Sequence, residues 1–496
     1  MVNQPVGVHR NSIGCLRKGV VERIFRVKGP DGGLVEPPRP LPGVFEQKMR
    51  WMSAEFSRVV RQCRPLSKDA FLRTYSGRRK TLYEKAAMAY EQRGVRLSDA
   101  KIRAFIKIEA LVKLLGDGRL SQEIVPRIIQ PRNPRLPVYG YALGRYIKIY
   151  EHLMKDALRK IGTAVSGFNF PVVLKGLDPR KRAAILRAVW DSFEDPICVS
   201  MDASRFDQHT SRDALVWEGQ MWLCCCPYEF RDELNRLLNM QLRNRCLGIA
   251  QDGLVHYNTD GCRMSGDANT SAGNCLIMSA MLLTYTRERN VPGHVLNDGD
   301  DSMVIMERKD LEKFSTGLTE WFLECGYNMV VEAAVDVFER IDFCQCSPVS
   351  TYGGWTMVRN PHKALAKDLS HVTNFAHDAD VNSWLSAVGE CGRALTDGVP
   401  VYQAFYSCFD PKEVTRLPEE LKDRGFYHMA RNCRWENTPV TDESRVSFYK
   451  AFGITPDEQR RLETRWKNYR LADFTLAQSA DPNTDHRESS PIMPRW

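Results

Sequence analysis

Two short apolar runs, His294 to Leu296 and Ser302 to Met306, are joined by Asn297-Asp298-Gly299-Asp300-Asp301, and this stretch constrains the fold more than any other. Asparagine, aspartate and glycine between β-forming runs specify a hairpin turn, so the tip of the hairpin carries a concentration of carboxylates. Upstream, Ile197, Val199 and Met201 alternate with Cys198, Ser200 and Asp202, the period of two that marks a strand, here one whose end is acidic. A glycine–aspartate turn alone is commonplace. What distinguishes this one is an apolar strand on each side, which fixes acids that repel one another unless cations neutralise them. A hard cation such as Mg2+ takes one or two protein carboxylates and completes its shell with phosphate and water oxygens. Asp202 and Asp300 therefore read as metal ligands and catalytic residues, with Asp301 assisting.

A second cluster runs from Gly261 to Asn274, where a flexible loop meets a helix read from Ala268 to about Arg289. Thr270 and Asn274 are four positions apart and share a helical face. With Ser265 and Gly266 they form a candidate nucleotide site, and Asp207 can hold Asn274 and a ribose in one hydrogen-bond network. A contact to the 2′-hydroxyl is what separates ribonucleotides from deoxyribonucleotides. The plainer alternative is a helix capped near Ser265 or Asp267 with no ligand.

Lysine and arginine outnumber aspartate and glutamate by 70 to 61, a net charge of +9 that suits a polyanionic partner without requiring one. Lys107, Lys113, Arg127, Arg132 and Arg135 lie in a stretch interrupted by Pro126, Pro131 and Pro134. Such a stiffened basic loop matches the phosphates of an entering nucleoside triphosphate. Arg78, Arg79 and Lys80, after Ser76-Gly77, suit template phosphates. Both clusters read equally as solvated basic surface.

The fifteen cysteines are scattered, with a run at Cys224 to Cys226, and their spacing matches no zinc motif. They read as reduced, buried small hydrophobes. No apolar stretch reaches the roughly 18 to 20 residues that cross a bilayer, so no transmembrane anchor is expected in this chain. Residues 28–43, rich in glycine and proline, read as an extended connector within an arm over residues 1–60. The pattern is helical and basic from Tyr83 to about Leu115, looped from Pro126 to Pro137, and helical again from Tyr141 to about Lys160. Beyond Phe343 it is mostly helical, with charged helices near Glu413 to Arg424 and Pro456 to Tyr469, and residues 478–496 read as a disordered tail.

In this order the clusters resemble the RNA-dependent RNA polymerases of positive-strand RNA viruses, and within them the tombusvirus-like, carmovirus-type group. Asp202 with Asp207 resembles motif A, Ser265 through Asn274 motif B, and Gly299-Asp300-Asp301 motif C. Phe343-Cys344-Gln345 resembles motif E, where the growing strand is gripped, and Val125 to Arg132 the basic motif F. Pro38 to Gly43, Tyr75 to Arg79, Leu143 to Tyr146, Lys175 to Leu177 and Arg359 to Lys363 extend the likeness over roughly residues 5 to 450. The resemblance implies an α+β closed right hand: arm 1–60 bridging fingers and thumb, fingers 61–195, palm 196–345 with part of the fingers inserted at about 215–255, and thumb 346–477. It implies an antiparallel palm sheet, Mg2+ replaceable by Mn2+, an RNA template and product, nucleoside triphosphates and primer-independent initiation. Arg135, from the basic loop, is read as an RNA contact; the resemblance implies further RNA contacts at Cys344 and Gln345, and recruitment to membrane-associated complexes in the host cytoplasm by a membrane-anchored viral replication protein or an N-terminal extension. One departure is plain. Many relatives carry a motif D lysine that protonates pyrophosphate, a role worth about 10²–10⁴ in rate. No lysine occurs here from Phe314 to His362, leaving Lys309, Lys313 and Arg340 as candidates.

Two rival readings share these features. A reverse transcriptase would use the same acids but has no need of Asp207 and Asn274 as readers of a 2′-hydroxyl. A catalytically silent RNA-binding scaffold would keep the basic surfaces and has no need of Asp202, Asp300 and Asp301.

Overall fold

The computed structural model describes residues 9–107, 128–129, 135–368, 378–409, 429–430 and 432–468. Its strands, in chain order, are β1 (Val27–Lys28), β2 (Leu34–Val35), β3 (Ile102–Ile106), β4 (Ile128–Ile129), β5 (Pro196–Ala203), β6 (Arg243–Ala250), β7 (Gly253–Asp260), β8 (His294–Asp298), β9 (Asp301–Glu307), β10 (Met329–Val331), β11 (Cys346–Thr351) and β12 (Gly354–Arg359).

Four of them form an antiparallel sheet in the order β10-β5-β9-β8. The alternation seen along β5 has a two-sided explanation. Ile197, Val199 and Met201 enter the largest core, while Cys198 faces a second core with Leu296, Met303 and Ile305. The sheet is thus a partition between two apolar bodies, and its strand ends are held from both faces. A second sheet, β4-β3-β6-β7, is mixed, because β3 runs parallel to β6. β11 and β12 form a separate hairpin. The molecule is a mixed helix-and-sheet structure in which antiparallel pairing prevails.

Helix Thr270–Glu288 is buried from Ala272 through Thr286. A helix apolar on all sides belongs inside a protein. It packs against β8 and the helices Val44–Val59 and Pro137–Ser166. Val44–Val59 presents Phe45, Met49, Met52 and Phe56, all fully buried, at spacings of four, three and four. At about 1.5–3 kcal/mol for each large side chain buried, that stripe anchors the helix firmly. The region read as an arm therefore ends in a helix that is part of the main core.

The hairpin and the long helix lie where the sequence put them, and the helix read from Tyr141 runs longer, from Pro137 to Ser166, with Gly167 in a left-handed conformation after it. Pro456–Lys467 is helical, started by an N-terminal capping box of Thr455 and Glu458. The helix read from Tyr83 to Leu115 is corrected. It spans Gly77–Arg93, stops at Gly94 with φ 65°, and gives way to β3. Ile102, Ala104 and Ile106 are buried and Arg103 and Phe105 exposed, a period of two that a basic helical pattern had masked. The β11–β12 hairpin likewise interrupts a region read as mostly helical. The helix near Glu413 to Arg424, residues Lys113, Arg127 and Arg132, and the tail 478–496 lie outside the described residues.

Candidate active site

Strand register brings the acids together. Asp202 on β5 is paired directly with Asp301 on β9, and Asp301 in turn with Asp298 on β8. Like charges directly opposite on neighbouring strands oppose folding. Partial desolvation and the Asp300 charge hold the Asp202 carboxyl above its usual range. Asp301 is pushed up to about 6 by burial, then by Asp300 and Asp202. Among the described residues, Asp202, Asp300 and Asp301 form no ion pair, and no group of three or more His, Cys, Asp and Glu side chains is gathered closely enough to hold an ion alone. Oxygen donors that repel one another are chemically suited to a divalent cation that takes its remaining ligands from phosphate and water.

Asp298 differs. Lys175 Nζ lies 3.4 Å from its Oδ1, and Arg182 pairs with its Oδ2. Lys175 arrives there because Val173 bridges to Asn297 in parallel along the edge of β8. Arg182 also lies over the Phe343 ring, 5.3 Å from its centroid, linking the hairpin to the turn that follows. In that turn Cys344 and Gln345 both take left-handed backbone, φ 55° and 60°. Neither is a glycine or asparagine, the residues that adopt this conformation at least cost, so the turn is strained. Burial beside Asp298 raises the Cys344 thiol. Gln345 is exposed.

The hairpin turn has an internal brace that the sequence reading passed over. Fully buried Asn297 donates through Nδ2 to the carbonyls of Gly299 at 2.8 Å and Asp301 at 3.2 Å. Its Oδ1 accepts from the Gly299 N–H at 3.1 Å. Gly299 has φ 96°, the left-handed backbone such a short turn requires. An asparagine two residues before a turn glycine is a recognisable local signal.

Asp207 stands near enough to Asp300 to feel its charge. Burial raises its carboxyl, while hydrogen bonds from Ser265 and Asn274 pull it back. Asn274 Nδ2 donates to Asp207 Oδ1 at 2.8 Å, and Ser265 Oγ donates to Oδ2. Thr270 Oγ1 turns instead to the Met264 carbonyl, 2.9 Å away, and fixes the loop. Gly266, with φ 98°, makes the bend between Ser265 and the helix.

Behind this group lies a buried network that was invisible locally. Arg263 Nε donates to Asn274 Oδ1 at 3.0 Å and pairs with Glu218. Glu218 Oε1 also accepts from Trp222 Nε1 at 2.8 Å and Asn269 Nδ2 at 2.9 Å. Gln241 joins Asn269 to Asp267, and Asp267 receives Arg135 Nε at 2.8 Å and Nη2 at 3.0 Å. Arg135 is therefore corrected: read as an RNA contact, it is buried and its guanidinium is occupied by Asp267, Asn244 and the Ala100 carbonyl. Arg263 lies within the Gly261 to Asn274 cluster. Glu218, far away in sequence, gave no signal.

The other basic candidates lie apart. Arg78 and Lys80 are exposed and Arg79 half-buried at the start of helix Gly77–Arg93, with Lys80 4.0 Å from Glu84. Cations at a helix N-terminus are unfavourable for the helix itself, which is consistent with an anionic partner. Lys107 follows β3 and is half-buried. Of the proton-donor candidates, Lys313 is bonded to the Asn290 carbonyl at 3.0 Å.

The site thus sets acidic strand ends beside a carboxylate–amide–hydroxyl group. The chain belongs to the family of viral RNA-dependent RNA polymerases, whose model matches residues 1–473. It is 39% identical over 464 residues to the RNA-directed RNA polymerase of Tobacco necrosis virus (strain D), covering 92% of this chain and 62% of that one. It is 36% identical over 474 residues to that of Turnip crinkle virus, covering 94% and 58%. With that of Tomato bushy stunt virus (strain Cherry) it shares 38% over 466 residues, covering 94% and 54%. The chain thus spans 62% or less of the length of these relatives. The tombusvirus-like resemblance read from the motifs is borne out. No helix among the described residues is long and apolar enough to cross a membrane.

Proposed function

We propose that this chain copies an RNA template into RNA, joining ribonucleotides at Asp202, Asp300 and Asp301 to replicate a positive-strand viral genome. The observation that carries the reading is the direct pairing of Asp202 with Asp301 across β5 and β9, beside an Asp207–Asn274 hydrogen bond. Divalent ions, Mg2+ with Mn2+ able to substitute, would supply activation of the 3′-hydroxyl and stabilisation of the leaving pyrophosphate in a two-metal reaction. Asp202 and Asp300 hold them, with Asp301 assisting. Asp207, Asn274 and Ser265 orient the ribose, with Gly266 and Thr270 shaping their loop. Lys107, Arg127 and Arg132 serve the triphosphate, and Arg78, Arg79, Lys80, Cys344 and Gln345 the RNA.

On this reading residues 196–345 are a palm, 61–195 fingers, 346–477 a thumb, and 1–60 an arm between fingers and thumb. The pairing of β3 with β6 supports assigning residues 215–255 to the fingers. Initiation is primer-independent. The chain works in host cytoplasm at membrane-associated complexes, brought there by a membrane-anchored viral replication protein or by an N-terminal extension.

Extension assays with the purified chain on primed and unprimed RNA, with Mg2+ or Mn2+, test the proposal. Ribonucleotide incorporation on both templates is expected. Preference for deoxyribonucleotides would make it a reverse transcriptase, and RNA retention without product a scaffold.

A further inference from the structure

The Asn274 side chain is an amide whose two ends look alike in shape and opposite in hydrogen bonding. Its Nδ2 faces the Asp207 carboxylate and its Oδ1 faces Arg263 Nε. Turning the amide over would place NH2 against the guanidinium and a carbonyl against the carboxylate, two repulsive contacts in place of two attractive ones. Arg263 is itself held at both ends. Its backbone N–H donates to the Asp207 carbonyl at 2.9 Å, and its guanidinium is paired with Glu218. The side chains of that pair are 1% and 2% exposed. Gly273 lets it lie flat on the helix, because a Cβ there would come within 2.7 Å of Arg263 Nη2.

We propose that the buried Arg263–Glu218 pair is the positioning element for ribose selection, fixing which end of the Asn274 amide is offered to the sugar. This rests on the polymerase reading and deepens it. Arg263 and Glu218 are enclosed by protein, so their effect on the nucleotide passes through Asn274. When the amide is held by Asp207 alone, its hydrogen bond to a ribonucleotide 2′-hydroxyl is less well aimed, whereas a deoxyribonucleotide has no such bond to lose.

The test is single-nucleotide incorporation opposite uridine in an RNA template, comparing kcat/KM for ATP and 2′-dATP. Arg263→Lys keeps a charge for Glu218 but lacks the planar fork that reaches Asn274 as well. Its ATP to 2′-dATP ratio is expected to fall about tenfold, the scale of one neutral hydrogen bond. The change should reside in a raised KM for ATP, with kcat/KM for 2′-dATP unmoved. The paired variant E218Q/R263Q removes both buried charges together, so neither is left uncompensated. It provides a second arm with the same expected loss should R263K fail to fold. An unchanged ratio in a folded variant, or an equal fall for both nucleotides, overturns the proposal and leaves the polymerase reading intact. A wild-type chain that incorporates neither nucleotide overturns that reading and this one with it.

Discussion

At the strand ends Asp202 faces Asp301 across the sheet with no cationic partner among the described residues, whereas Asp207 and Glu218 each accept hydrogen bonds from two or more groups. The first cluster is costly for folding and leaves room for charge that arrives with a substrate. The second is saturated and gains geometric precision from it. Acids of one kind thus serve two purposes. Unpaired, they repel one another across the sheet; paired, they hold neighbouring groups to one orientation.

The comparison breaks most visibly at Asp300. Asp300→Ala should lower ribonucleotide incorporation at least about 10⁴-fold, roughly 5.5 kcal/mol of barrier. Its denaturation midpoint should hold or rise, because a like charge beside Asp202 and Asp301 is removed. A large loss of stability instead would put Asp300 among the braced acids. Glu218→Leu makes the opposite case. It strands the buried Arg263 charge and should destabilise the fold by about 3–5 kcal/mol in urea titration. A loss under about 1 kcal/mol would show that the network is not saturated. Smallest is Gly273→Ala, where overpacking against the ion pair should cost about 1–3 kcal/mol by the same titration. A neutral result would mean that the pair has room to move.

The strand end at Asp202 and the hairpin were legible because each depends on local periodicity, and the shared face of Thr270 and Asn274 because it depends on a spacing of four. The structure adds that Asp207 and Asn274 are bonded at 2.8 Å, across 67 positions. Arg135 was misread because its neighbours are basic and proline-rich, while its actual partner, Asp267, lies 132 positions away. Composition near a residue says little about what long-range folding brings to it. β3 was hidden for a related reason: Arg103 and Lys107 lie outside the buried alternation of Ile102, Ala104 and Ile106, and they made a strand look like a basic helix.

The helix Val44–Val59 has one more consequence, for the order of events on the ribosome. The core it joins is assembled from side chains as far along the chain as Met329. Contacts of such wide sequence separation close late and slowly. Until β10 has emerged, Phe45, Met49, Met52 and Phe56 have only part of their shelter, and exposed apolar surface of this kind invites aggregation. The cluster from Val349 to Phe448 draws on later residues alone and can gather afterwards. Translation that stops short of Met329 therefore releases a chain whose largest core is still open.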